Sequence, residues 1–231
     1  MKIGLIGAMK IETDALKALV EDAVCETVSG IEFVSGTIHG KAVVVAQCGI
    51  GKVFAALCAQ TMILRYGVDK VINTGIAGTL SERLGLLDVA ISTAVVQHDM
   101  DTSALGDPVG LISGLNVVEI PATEGLCREI ARAGESLGFR CVSGVIASGD
   151  QFIGDPGKKA YIRDTFGAIA CEMEGAAIGQ VCYVNGVEFA ILRTISDNAD
   201  ETAGAMEYPE LCRRAAERAQ QLMRKFLETN T

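Results

Sequence analysis

Several segments of this chain are apolar from end to end, and nothing else in the sequence constrains the fold so tightly. KIGLIGA at 2–8 and DKVINTGIAG at 69–78 read as strands without a polar face. Such strands need cover on both sides, as in the central sheet of an α/β protein. CVSGVIASGD (141–150), GAIACEME (167–174) and VEFAILRTISD (187–197) read as further strands, and DVAISTAVVQ (88–97) is rich in β-formers. Helix-patterned segments lie between them: residues 11–20, GIGKVFAALCAQTMILRYG, TEGLCREIARAGESLG (123–138) and GAAIGQVCYVNG. The last helix is the plainest. Tyr208, Leu211, Ala215, Leu222 and Phe226 share one face, with Arg, Glu and Gln opposite. This alternation predicts an α/β fold, a three-layer α/β/α sandwich around a twisted sheet. FVSGTIHG and KAVVVAQCG read as a hairpin turning at His39-Gly40, so the sheet is expected to be mixed. No Pro/Gly/Ser-rich linker divides the chain, and residues 1–231 read as a single domain.

Composition narrows the ligand. The net charge of −9 disfavours nucleic acid, which needs a basic stripe, and suits a neutral or cationic small molecule. The eight cysteines form no CxxC pair and sit mostly in apolar surroundings, which fits reduced core residues. With only His39 and His98, a histidine-rich metal site is not expected. MKIGLIGAMKIETD lacks the small-residue cleavage site of a signal peptide, and no run of 18 apolar residues is present. A cytoplasmic location without membrane contact is the expectation.

Ligands of such sheets bind beyond the carboxyl ends of the strands. Met9 and Glu12 follow the first strand, and Thr74-Gly75-Ile76-Ala77-Gly78 closes another. Ser148-Gly149-Asp150 leads into Gln151, Phe152 and Ile153; Glu172-Met173-Glu174 and Arg193…Ser196-Asp197 complete the set. Carboxylates, glycines and apolar side chains at one end suit a ligand with a diol or basic nitrogens and a flat apolar part. Each residue also has a plain structural reading. Glu12 can favour the positive end of its helix, TGIAG can be a tight turn, and Glu172 and Glu174 can cap the helix that follows. Asp197 can be a turn residue, and Phe152 and Ile153 can be core. Other motifs fail: Gly49-Ile50-Gly51 is followed by Phe54 where GxGxxG needs glycine, GIGK lacks P-loop spacing, and no GxSxG is present.

Taken in order, IGAM with Glu12, CGIGK, NTGIAG, SGDQFI, CEMEGAA and RTISDNAD make the chain similar nearly end to end to the 5′-methylthioadenosine/S-adenosylhomocysteine nucleosidases. These lie within the purine and uridine nucleoside phosphorylase superfamily. The resemblance implies a nucleoside phosphorylase-like sandwich, a homodimer, and hydrolysis between adenine N9 and ribose C1′ without metal or organic cofactor. Adenine and the 5′-thioribose would be released, in methionine salvage. It implies that Glu12 activates water and Asp197 protonates adenine N7, with Ser196 orienting Asp197. Glu174 would hold the ribose hydroxyls with Met173 against the sugar, and Glu172 would support the site wall. Phe152 would stack on the base, with Ile153 meeting it too through its backbone. Met9 joins the substrate-binding set, and Arg193, Ile76 and Gly78 would line the water and ribose side.

The chain departs from the family pattern at Ile11, where an acidic residue is usual, and at Thr79, where a second glycine is common. HDMDTSALGDPVGLISG, which in the family reaches the partner subunit's site, carries Leu105 and Ser113 where aromatic and proline residues occur. Tyr208, after ADETAGAME, matches an aromatic position of the family. Futalosine-type hydrolysis and phosphorolysis are the alternatives within the fold, and a catalytically silent nucleoside-binding protein is the alternative outside enzymes. A carboxylate at the position of an incoming anion counts against phosphorolysis.

Overall fold

A computed structural model describes residues 1–197 and 208–229. The end of RTISDNAD and most of ADETAGAMEYPEL lie outside the described residues.

Strand β1 (Lys2–Gly7) sits between β4 (Lys41–Gln47) and β5 (Lys70–Thr79), parallel to both. On the β4 side, β3 (Ile31–Ile38) and β2 (Glu21–Val28) extend the sheet antiparallel to an edge. The β3–β4 hairpin turns at His39 and Gly40, both at positive φ, the conformation a two-residue hairpin favours. On the other side, β5 pairs in parallel with β10 (Glu188–Asp197), which runs antiparallel to β6 (Val89–Gln97). Beyond β6 come β8 (Cys141–Ser148) and β9 (Ala168–Glu172), each parallel to its predecessor, while the short β7 (Ile120–Pro121) pairs with β6. The end strand β9 then meets β5 again, Gly78 opposite Cys171 and Thr79 opposite Ala170. The mixed sheet therefore curls into a closed ring at this half. That closure brings the carboxyl ends of β5 and β9 together.

The pleat sorts side chains between two helical layers. Val43 and Val45 of β4 join Leu16 of α1 (Lys10–Lys17), Ile130 of α3 (Glu124–Ser136) and Leu222 and Phe226 of α6 (Tyr208–Thr229). Val44 and Ala46 face the other way, toward Cys58 and Met62 of α2 (Lys52–Tyr66) and Ile178 of α5 (Gly175–Asn185). Each large side chain buried this way contributes about 1.5–3 kcal/mol. Leu80, Val96, Ile162 and Phe166 form a smaller cluster under α4 (Pro156–Phe166).

The sequence reading misses β2, α4 and the two-residue β7. The edge strand β2 is exposed along most of its length and so carries no apolar pattern. Helix α4 starts at Pro156, and Asp155 caps it, accepting from Lys158 N–H at 2.7 Å. The reading also ends a strand in a turn at TGIAG, whereas β5 runs straight through it to Thr79. The Gly75 backbone is not at positive φ. What it needs is space: a Cβ there would lie 2.5 Å from Glu12 Oε1.

Candidate active site

Glu12 lies in the first turn of α1, where the chain leaves β1. Its Oε2 accepts from Ala8 N–H at 2.7 Å and Met9 N–H at 2.9 Å, and Oε1 accepts from Ile76 N–H at 3.1 Å. The carboxylate thus caps its helix and reaches across to β5 at once. Burial pushes its pKa up, against the Arg193 charge and these N–H donors. A buried carboxylate so adjusted is a base that protonates more readily than a surface one.

The two glutamates of CEMEG divide their work. Extended backbone would point both the same way. Glu172 ends β9, but Glu174 is the N-cap of α5 at φ −134°, ψ −41°, so the chain bends between them. Glu172 faces inward. It accepts from the Ser148 hydroxyl, the Arg193 guanidinium, Glu174 N–H at 3.0 Å and Gly175 N–H at 2.9 Å. Burial opposes its charge, yet Arg193 and Ser148 outweigh burial and hold the carboxyl below its usual range. Glu174 turns into the cleft. Its Oε1 accepts from Gly51 N–H at 2.9 Å, and its Oε2 lies 3.7 Å from Arg193 Nη2. Burial and the neighbouring Glu172 charge push its pKa up to about 7.

Arg193 is fully buried on β10, behind the cleft wall. Its guanidinium donates to Glu172 and to Asn73 Oδ1, while Asn73 donates to Ile6 C=O at 2.9 Å. Three carboxylates, Glu172, Glu174 and Glu12, share its one positive charge.

Asp197 ends β10 beside a bulge between Ile195 and Asp197, a device that re-aims side chains at strand ends. Ser196 Oγ donates to Asp197 Oδ2 at 2.9 Å, and both residues are buried.

The three glutamates, Ser196 and Asp197 line one cleft, partly open to solvent. Met9, Glu12, Ile76, Gly78, Phe152, Glu172, Met173, Glu174, Ser196 and Asp197 are all on its wall. Ile153 lies in an adjoining recess with Phe152 and Asp197. Arg193 does not line the cleft; it acts on it through Glu172 and Glu174. At the mouth, Phe152 is 68% exposed, and its ring meets Tyr208 edge-to-face at 6.2 Å. Ile50 and Cys171 also line the cleft, though the sequence reading gives them no role. For Ile50 the signal was available, inside CGIGK; Cys171 adjoins Glu172 in a run that reads simply as buried strand. No cluster of three or more metal-ligating side chains occurs among the described residues. Chemically, the cleft offers buried carboxylates around a small polar centre and an aromatic mouth.

The model of the phosphorylase superfamily matches residues 2–228. The 5′-methylthioadenosine/S-adenosylhomocysteine nucleosidase of Shewanella putrefaciens is 43% identical over 204 residues, 87% of each chain. Among solved structures, a variant of the Helicobacter pylori nucleosidase with 5′-methylthioadenosine in its active site superposes with a TM-score of 0.94 at 36% identity, over 99% of both chains. The Helicobacter pylori futalosine hydrolase superposes at 0.93 with 35% identity, over 100% of this chain and 98% of that one. Similarity along most of both chains in sequence, and nearly all of both in fold, places this chain in the phosphorylase superfamily, as a member of its 5′-methylthioadenosine/S-adenosylhomocysteine nucleosidase family.

Proposed function

We propose that the chain, acting as one nucleosidase domain, hydrolyses the N-ribosidic bond of 5′-methylthioadenosine and S-adenosylhomocysteine. The products are adenine and the 5′-thioribose, a step of methionine salvage in the cytoplasm. The observation that carries this reading is the convergence of Glu12, Glu174 and Asp197 on one cleft with an aromatic mouth.

Adenine leaves poorly until N7 is protonated, and Asp197, oriented by Ser196, is the acid assigned to that step. Loss of the base gives the sugar oxocarbenium character, which the surrounding carboxylates stabilise. Glu174 accepts from the 2′ and 3′ hydroxyls, and Met173 packs on the sugar. Glu12 takes a proton from the attacking water. Phe152 stacks on adenine, with Ile153 behind it. Phosphorolysis is disfavoured because Arg193 is already committed to Glu172 and Glu174, leaving a dianion facing Glu12.

The chain is proposed to pair as a homodimer. Val53 and Leu64 of α2 are 71% and 74% exposed, and Phe54 and Leu57 beside them are also exposed, forming an apolar face next to Ile50. A futalosine-type substrate is the second reading, favoured by the likeness to the futalosine hydrolase. The test is adenine release from methylthioadenosine and S-adenosylhomocysteine beside base release from a futalosine-type nucleoside. Higher kcat/KM on the two thio-nucleosides supports the first reading, and the reverse order supports the second.

A further inference from the structure

The CGIGK segment carries a lysine that the chemistry above leaves without a task. Lys52 opens α2 directly after Gly51, the residue whose N–H holds Glu174. Its ammonium is not spread into solvent. It donates to Asp99 Oδ1 at 2.6 Å and to Gln97 Oε1 at 3.0 Å, and the Lys52 and Asp99 side chains are only 19% and 16% exposed. The second oxygen of Asp99 accepts from Asp150 N–H at 2.9 Å. Asp150 Oδ1 accepts in turn from the backbone N–H of Lys52 at 2.7 Å. Three residues thus close a ring that ties the start of α2 to the exits of β6 and β8. Two of the tied segments end in the cleft: Gly51 on Glu174, and Asp150 two residues before Phe152.

The backbone shows why a clasp is useful here. Gly51 sits at φ +101°, where L side chains rarely go, and a Cβ added to it would lie 3.1 Å from Asp150 Oδ1. Glycine is also the residue that loses most freedom on folding, so its local preference alone does not fix the N–H direction. A largely buried ion pair that also accepts backbone hydrogen bonds holds geometry far better than an exposed pair.

We propose that Lys52 is a positioning residue for the ribose diol: clasped by Asp99 and Asp150, it holds the Gly51 N–H on Glu174 and keeps that carboxylate aligned with the two hydroxyls. The inference deepens the nucleosidase reading and rests on it. Lys52 touches no reacting atom, and its effect travels through Glu174.

The experiment compares Lys52→Met, Asp99→Asn, the double variant and Lys52→Arg with wild type. Steady-state kcat and KM are measured on methylthioadenosine and on its 2′-deoxy analogue. Each disruptive variant is expected to lose about tenfold in kcat/KM on the riboside, the worth of roughly one hydrogen bond. The loss on the deoxyriboside is expected to be smaller, so the riboside preference shrinks. The double variant should lose no more than the worse single one, because the residues act as one ring. Lys52→Arg should keep the preference. A partly unfolded preparation lowers both rates alike, so the ratio reads positioning apart from folding. An unchanged ratio in Lys52→Met and Asp99→Asn overturns the proposal, as do fully additive losses. If wild-type protein released no adenine from either nucleoside, the nucleosidase reading would fall first and this inference with it.

Discussion

Gly75→Ala is the smallest change that should disable this site. A methyl at position 75 would lie 2.5 Å from Glu12 Oε1 and 3.1 Å from Arg193 Nη1. Ordinary contact begins near 3.4 Å, so the Glu12 carboxylate has to retreat by about 0.9 Å. It cannot do so freely, because Ala8, Met9 and Ile76 N–H groups hold both its oxygens. Overpacking of this kind costs about 1–3 kcal/mol. At this chain length that lowers the melting temperature by roughly 2–12 °C. The catalytic loss should be larger than the stability loss, since misplacing a catalytic group by about 1 Å can cost about a hundredfold. KM should change little, because the proposed substrate contacts of Glu174 and Phe152 lie on other walls of the cleft. Adenine release followed spectrophotometrically, with a melting curve on the same sample, checks both numbers. Wild-type kcat in Gly75→Ala would show that the position of the Glu12 carboxylate does not limit turnover.

Other consequences follow from the same geometry. Asp197→Asn should reduce kcat by about 10²–10⁴-fold while leaving nucleoside affinity within about tenfold, since the amide keeps the shape but delivers no proton; calorimetric binding beside turnover separates the two. Glu172→Gln should destabilise the fold by about 3 kcal/mol or more, because Arg193 loses its main buried counter-charge; denaturant unfolding reads this directly. Glu174 should give the empty enzyme a pH-dependent stability. Its pKa is raised from 4.5 to about 7, so its contribution is fully present below about pH 4.5 and is lost as pH rises through about 7. Melting temperatures of Glu174→Gln should therefore fall less between pH 5 and 8 than those of wild type; equal slopes would remove the argument.

Much of this was readable in the residues, for physical reasons that also explain the gaps. The apolar runs of β1 and β5 have only one stable setting, a sheet covered twice, and the amphipathic faces of α3 and α6 supply part of the cover. The acidic residues stood out because each lies where a strand ends. Glycine was harder. TGIAG suggests backbone freedom, yet Gly75 is there for room beside Glu12, and one letter encodes both uses. The division between Glu172 and Glu174 depends on a bend at residue 174 that spacing alone does not reveal. Arg193 reads as a ligand group in sequence, but its burial behind Glu172 is a product of tertiary packing. Lys52 reads only as the last residue of CGIGK, because its partners Asp99 and Asp150 are far away in the chain.

In the proposed reaction, water activated by Glu12 attacks the ribose C1′. The most direct measurement is the identity of the sugar product when purified protein acts on methylthioadenosine, with and without phosphate. Free methylthioribose is expected at the same rate in both buffers, with a rate cut in Glu12→Gln and no phosphate dependence appearing. Sugar 1-phosphate as product, or turnover that begins only when phosphate is added, would contradict it.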